Sequence, residues 1–129
     1  GAYAAFNARG SCAPSVPCKV GTTALAVRLI ALAEGRGGAQ QLDEISGGVA
    51  KVTDWNRCGL GAGQQALVGG FIEEYPDDIA MHLAGEACES DRKVDVPVVA
   101  SWDEDTGRFI YYETPGYTEG LEIPLDLTV

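Results

Sequence analysis

The stretch Ser11-Cys12-Ala13-Pro14-Ser15-Val16-Pro17-Cys18-Lys19-Val20-Gly21-Thr22 constrains this chain more than any other. It puts two cysteines on a short loop that two prolines stiffen, since each proline fixes its own φ and restricts the residue before it. The pair Thr22-Thr23 then opens an apolar, helix-patterned run. Cys58 heads another helix-like stretch, 40 positions after Cys18. The fold has to accommodate a tight loop and a distant turn that share one kind of reactive side chain.

Sulfur donors gathered on a loop, with one more delivered from another segment, are what an iron–sulfur cluster needs, and a four-iron cube usually takes four of them. The loop has the frame Cys-x-x-Ser-x-x-Cys, with Ser15 midway between Cys12 and Cys18. Two disulfides are the competing reading of four cysteines, and a secreted domain with a Cys12–Cys18 bridge is its specific form. Uneven cysteine spacing and 17 glycines among helix-like segments speak against a stapled scaffold.

At 129 residues the chain suits one domain with a modest core. Hydrophobic content of 46% against 22% charged residues describes a globular protein rather than a disordered one. The net charge of −10 argues against nucleic acid, whose phosphates it would repel. The acid is spread through the second half, where it serves solubility or docks a basic partner. No continuous apolar run of about 18 residues occurs, so no membrane span is expected. Residues 1–9 lack the basic head and apolar stretch of an export signal, which points to a cytoplasmic location.

The pattern predicts a mainly α fold: a small antiparallel helical bundle over about residues 20–85, with a C-terminal β-hairpin and extended tail. Residues 1–11 read as an irregular lead-in, with Tyr3 and Phe6 free to pack on the segment after it. A first helix is expected over Ala24 to Glu34, capped by Thr22 or Thr23 and ended by Gly35-Arg36-Gly37-Gly38. Leu42, Ile45, Val49 and Val52, at spacings of 3, 4 and 3, mark an amphipathic second helix interrupted by Gly47-Gly48. After the turn Trp55 to Gly61, a third helix runs from about Gly63 to Glu74, with Leu67, Val68, Phe71 and Ile72 on one face. Pro76 breaks it, and Asp77 caps a short fourth helix through Leu83. Beyond Cys88, Val96 to Trp102 and Arg108 to Glu113 read as a hairpin around Asp103-Glu104-Asp105-Thr106-Gly107. Gly120 to Val129 reads as a third extended piece. The expected division is therefore 1–88, a helical iron–sulfur-type bundle, and 89–129, a β-rich docking tail not stable alone.

Ser11, Cys12, Pro17, Cys18, Lys19, Gly21 and Thr22, then Cys58 with Gly59-Leu60-Gly61, carry a resemblance. So do the closing segments Phe71-Ile72-Glu73-Glu74-Tyr75 and Ala80-Met81-His82-Leu83. They resemble the C-terminal iron–sulfur domain of the NADH-binding flavoprotein subunit of respiratory complex I. Diaphorase subunits of NAD-linked formate dehydrogenases and hydrogenases carry the same domain. The resemblance covers roughly residues 3–85. It implies a helical bundle holding a [4Fe-4S] cluster that takes electrons from a neighbouring flavin and passes them on, within a complex that is membrane-bound in some cases.

That resemblance implies Cys12, Cys18 and Cys58 as ligands, and Ser15 stands where the family's middle loop cysteine would be. Serine binds iron as an alkoxide, but its proton is much harder to remove than a thiol's and its oxygen is the harder donor. Cys88 is the other candidate for the fourth position, and a three-iron or non-cysteine-ligated cluster is the variant outcome. The implied partners are other subunits of a redox complex, the flavin- and NADH-binding subunit first. Neither FMN nor NAD is expected on this chain alone, which has no Gly-x-Gly-x-x-Gly turn between a strand and a helix. The alternative is a structural subunit that kept the bundle and lost the metal.

Lys19 is expected beside the cluster, or as a solvated lysine next to a turn. Gly21 is expected to let backbone approach closely, for the cluster or for helix packing. His82, the single histidine, reads as an exposed or capped side chain rather than a ligand. Trp55 and Trp102 read as packing anchors, and Asp103 to Asp105 as a solvated turn without calcium-loop spacing. No catalytic residues are expected: one histidine and no paired carboxylates leave acid–base chemistry few players.

Overall fold

The computed structural model describes residues 1–88 and 99–111. They form five helices and one hairpin: α1 (Ala2–Gly10), α2 (Val16–Ala33), α3 (Ala39–Lys51), α4 (Leu60–Glu74), α5 (Pro76–Leu83), β1 (Val99–Asp103) and β2 (Arg108–Tyr111). The fold is mainly α, as the sequence implies.

The first difference from the expected pattern lies at the start. Residues expected as an irregular lead-in form α1, and its small Ala4, Ala5 and Ala8 are buried. Small side chains let two helix backbones come close, and periodicity in large residues does not register such a face. Gly1 lies against Ile30 while Ser11 reaches Cys18, so α1 and α2 run antiparallel.

Helix α2 begins at Val16, eight residues earlier than expected. Pro17 sits in its first turn, where a missing N–H costs nothing. Thr22 is therefore interior rather than a cap, and its hydroxyl donates to the Cys18 carbonyl at 2.6 Å. Leu25, Ala26, Leu29 and Leu32 of α2 join Ala4, Ala8, Ile45, Val52 and Val68 in one core. This central helix has no continuous apolar run, yet its length and average composition pass the test for a membrane span. Its 18 residues average a hydropathy of 1.5, which meets that test by length and composition. Alanines and valines outweigh Lys19 and Arg28 in the average even though no run is continuous. In this fold the helix is the bundle's core element.

Gly35 ends α2 at φ 69°, the left-handed region a glycine enters without strain. In α3, Ile45 and Val52 are buried and Val49 packs on the core, as the spacing predicts. At Gly47-Gly48 no other backbone packs closely: a Cβ on Gly48 would lie 3.1 Å from the Leu25 side chain, and one on Gly47 would meet nothing within 4 Å. Helix α4 starts at Leu60 instead of Gly63, and of its predicted face Val68 is buried while Leu67 stays half exposed. Helix α5 opens with Pro76 in its first turn, so Asp77 lies inside that turn and is not the cap. Ile79 and Leu83 close the bundle.

The hairpin is antiparallel, with Trp102 opposite Phe109 and Asp103 opposite Arg108. Gly107 takes φ 63° at the end of the loop, as its position predicts. Trp102 and Phe109 meet edge to face at 4.9 Å between ring centres. Among the described residues neither strand contacts a helix. Residues 96–98 and 112–113 of the predicted strands, and the predicted piece 120–129, lie outside the described residues. Trp55 is 97% exposed at φ 55°, which removes it as a packing anchor.

Candidate metal centre

The end of α1 and the start of α2 together make the cysteine loop. Ser11 closes α1 by donating its backbone N–H to the Asn7 carbonyl at 3.0 Å. Ala13 then takes φ 75°, a turn that an alanine adopts only with strain. Ser15 is the N-cap residue of α2, and its side chain makes no capping bond. Cys12 is thus on the loop and exposed, whereas Cys18 lies in the first turns of α2 and is buried. The expectation that both cysteines sit on the loop holds for Cys12 only.

The free Ser15 hydroxyl has another use. It accepts the backbone N–H of Arg57 at 3.2 Å, across 42 residues of sequence. That bond joins the loop to the turn bearing Cys58. The turn is itself built on α3: Val52 N–H donates to Gly48, and the Asn56 amide donates to the Val52 carbonyl at 2.5 Å. Gly61 lets the start of α4 press onto this turn, since a Cβ there would lie 2.6 Å from the Val52 carbonyl oxygen and closer still to the Asn56 amide nitrogen.

The result is one cavity of about 90 Å³ whose walls include Cys12, Ser15, Cys18, Arg57 and Cys58. Gly10, Ser11, Ala13, Pro14 and Leu60 supply the rest of a largely apolar lining. Ser11 is buried with its hydroxyl 3.4 Å from the Cys18 sulfur, a hydrogen-bond distance for sulfur. Cys58 immediately precedes Gly59, the N-cap residue of α4. All four cysteines are free, so the Cys12–Cys18 bridge of the disulfide reading is not formed.

These donors suit a cluster better than a lone ion. Among the described residues no three cysteine, histidine or carboxylate groups converge closely enough to hold one metal ion. A cluster distributes its ligands over separate iron atoms and accepts a wider ring of donors. Three sulfurs and one hydroxyl border the mostly apolar cavity, four donors in number, with the hydroxyl the harder of the two donor types.

The remaining expected site residues are elsewhere. Lys19 turns away from the cavity and donates to the carbonyls of Ala8 at 3.1 Å and Ser11 at 3.2 Å, a cationic cap on the end of α1. Gly21 serves helix packing: a Cβ there would be 3.1 Å from a Val52 methyl. Cys88 donates its backbone N–H to the Ala33 carbonyl at 2.7 Å, at the far end of α2. Fifteen residues of helix separate that point from Cys18, about 22 Å, so the structure does not bring Cys88 to the other sulfurs. His82 is occupied locally, with Nδ1 2.6 Å from the Glu86 carbonyl.

Sequence reasoning passed over Arg57, Ser11 and a buried polar pair. Asn7 donates to Gln64 Oε1 at 2.5 Å, tying α1 to α4, and among the described residues the buried Gln64 Nε2 has no partner. An asparagine amid alanines was the only signal of that tie. Residues 1–82 match the family described as the NADH-ubiquinone oxidoreductase-F iron-sulfur binding region. No curated protein and no solved structure matches the chain.

Proposed function

This chain belongs to the NADH-ubiquinone oxidoreductase-F iron-sulfur binding family, a family of electron-transport domains in multi-subunit NADH-linked complexes, and from that premise we propose that it carries a [4Fe-4S] cluster between a flavin and downstream centres. Cys12, Cys18 and Cys58 would hold three corners. Ser15 would stand at the fourth. The bound cluster would supply reversible one-electron transfer. The observation that carries this reading is the single cavity walled by all four of these residues, from two segments far apart in sequence.

The chain's own residues define what it contributes. Ser11 would hydrogen-bond the ligating sulfur of Cys18, and such bonds tune a cluster's potential. The Arg57 N–H presently donated to Ser15 Oγ would stabilise an alkoxide there, offsetting part of the cost of ionising a hydroxyl. Of the three sulfurs only that of Cys18 is buried, and Cys12 and Cys58 are exposed. Flavin and NADH would be held by another part of the assembly, and the division into a 1–88 bundle and an 89–129 docking tail belongs to the same proposal.

A second reading, a scaffold without metal, draws on Ser15 and on the absence of an ion-sized donor group among the described residues. Anaerobic purification separates the two. Absorbance near 400 nm that bleaches on reduction and disappears in Cys12→Ala or Cys58→Ala is expected. Colourless protein, before and after reconstitution with iron and sulfide, would leave the scaffold reading standing.

A further inference from the structure

Helices α1, α2, α4 and α5 border a second and larger cavity, of about 570 Å³, at the opposite end of α2 from Cys12, Cys18 and Cys58, with Cys88 in its lining. Tyr3, Leu29, Leu32, Leu67 and Phe71 give it apolar walls, and Glu74 and Asp78 stand on its rim. Phe71 and Tyr75 stack at 5.7 Å between ring centres along one side. Tyr3, Leu67 and Tyr75 each keep roughly half of their surface exposed, at 43%, 48% and 55%. An apolar groove left open on a bundle of this size is what an inserted side chain of another molecule would cover.

The charge around the groove selects the occupant. Glu73, Glu74, Asp77 and Asp78 follow one another across the junction of α4 and α5, and no lysine or arginine occurs between Arg57 and Arg92. Among the described residues no lysine or arginine lines the groove.

We propose that this groove docks a basic amphipathic helix of a partner protein, with apolar side chains seated among Leu29, Leu67 and Phe71 and flanking lysines or arginines paired with Glu74 and Asp78. The mode is helix-in-groove recognition, in which apolar anchors recur at helical spacing and rim charges set partner choice. The groove's end of α2 is about 20 Å from Cys18 by helix rise, so this partner anchors the domain rather than exchanging electrons at close range. The inference therefore stands apart from the metal centre, and its test reads binding while the centre is read separately.

The test is selection of binders to the intact chain from a displayed library of helical peptides of about four turns. Selected peptides are expected to carry apolar anchors at three- and four-residue spacing with net positive charge. Their affinity should fall about tenfold or more in Glu74→Lys/Asp78→Lys, and again in Leu67→Asp, and should weaken with added salt. Helicity and iron content of both variants should match the parent, which separates lost docking from lost folding or a lost cluster. Should the double variant fail to fold, Leu67→Asp carries the decision alone, its side chain being half exposed. Binders without charge bias, affinity that both variants leave unmoved, or no binders at all would overturn the proposal. Sedimentation that shows self-association abolished by Glu74→Lys/Asp78→Lys would overturn it too, by giving the groove to a second copy.

Discussion

Gly61→Ala tests how the distant turn is held against the cysteine loop. Alanine is the better helix former by up to about 1 kcal/mol, so propensity alone favours the substitution. Space opposes it. The new Cβ would lie 2.6 Å from the Val52 carbonyl oxygen, a backbone atom that cannot swing away, and closer to the Asn56 amide. Displacing Asn56 also breaks its bond to that carbonyl, worth about 1 kcal/mol. Overpacking of this kind costs about 1–3 kcal/mol, so the net effect is a destabilisation of about 1–3 kcal/mol. For a chain of this length that lowers the thermal midpoint by roughly 4–12 °C, read by circular dichroism. Gly70→Ala is the control, in the same helix with nothing within 4 Å of its added Cβ. It should raise the midpoint by a few degrees, from about 0.5–1 kcal/mol of lost chain entropy in the unfolded state. Because the turn bears Arg57 and Cys58, Gly61→Ala should also lower iron retention while Gly70→Ala leaves it alone. A Gly61→Ala protein as stable as the parent, with unchanged iron, would refute the packing argument.

Ser15→Cys should increase bound iron and sulfide per chain, whereas Cys88→Ser should leave both unchanged because Cys88 lies at the far end of α2; colorimetric iron and sulfide assays check the pair. Leu25→Ala, at a side chain 1% exposed in the centre of the core, should cost about 2–5 kcal/mol in thermal unfolding. Lys19→Met removes the cation from two α1 carbonyls and should cost about 1 kcal/mol, and hydrogen exchange at α1 should rise more than elsewhere. In the hairpin loop the Thr106 hydroxyl and then its backbone N–H hold Asp103 below the ordinary carboxylate value. The bonds to Asp103 are thus present above the ordinary pKa of about 4 and lost as pH falls through the depressed one. Trp102 emission should follow that acid transition, and Thr106→Val should move it to higher pH.

The sequence signals were strongest where large apolar side chains repeat, and weakest where small ones do the packing. Ile45, Val49 and Val52 announced α3 by their spacing. Helix α1 announced itself by nothing comparable, because Ala4, Ala5 and Ala8 bury little area each and pack by closeness instead. The early start of α2 was hidden by Pro14 and Pro17, which read as loop stiffeners although a proline in the first turn is compatible with a helix. Residue type and spacing pointed to the cysteine loop and to Cys58, and the structure places Cys12, Ser15, Cys18 and Cys58 around one cavity. What spacing did not reveal is that Ser15 reaches Arg57, that Lys19 faces α1, and that Cys88 is a helix length away. Those are facts of direction, set by tertiary contacts that no local pattern encodes.

The most direct measurement of the central claim is native mass spectrometry of anaerobically purified chain, beside the Cys12→Ala, Cys18→Ala and Cys58→Ala variants. The account predicts an added mass of four iron and four sulfide atoms on the parent and loss of that mass in each variant. A parent at its bare polypeptide mass, or a cluster that survives removal of those sulfurs, would contradict it.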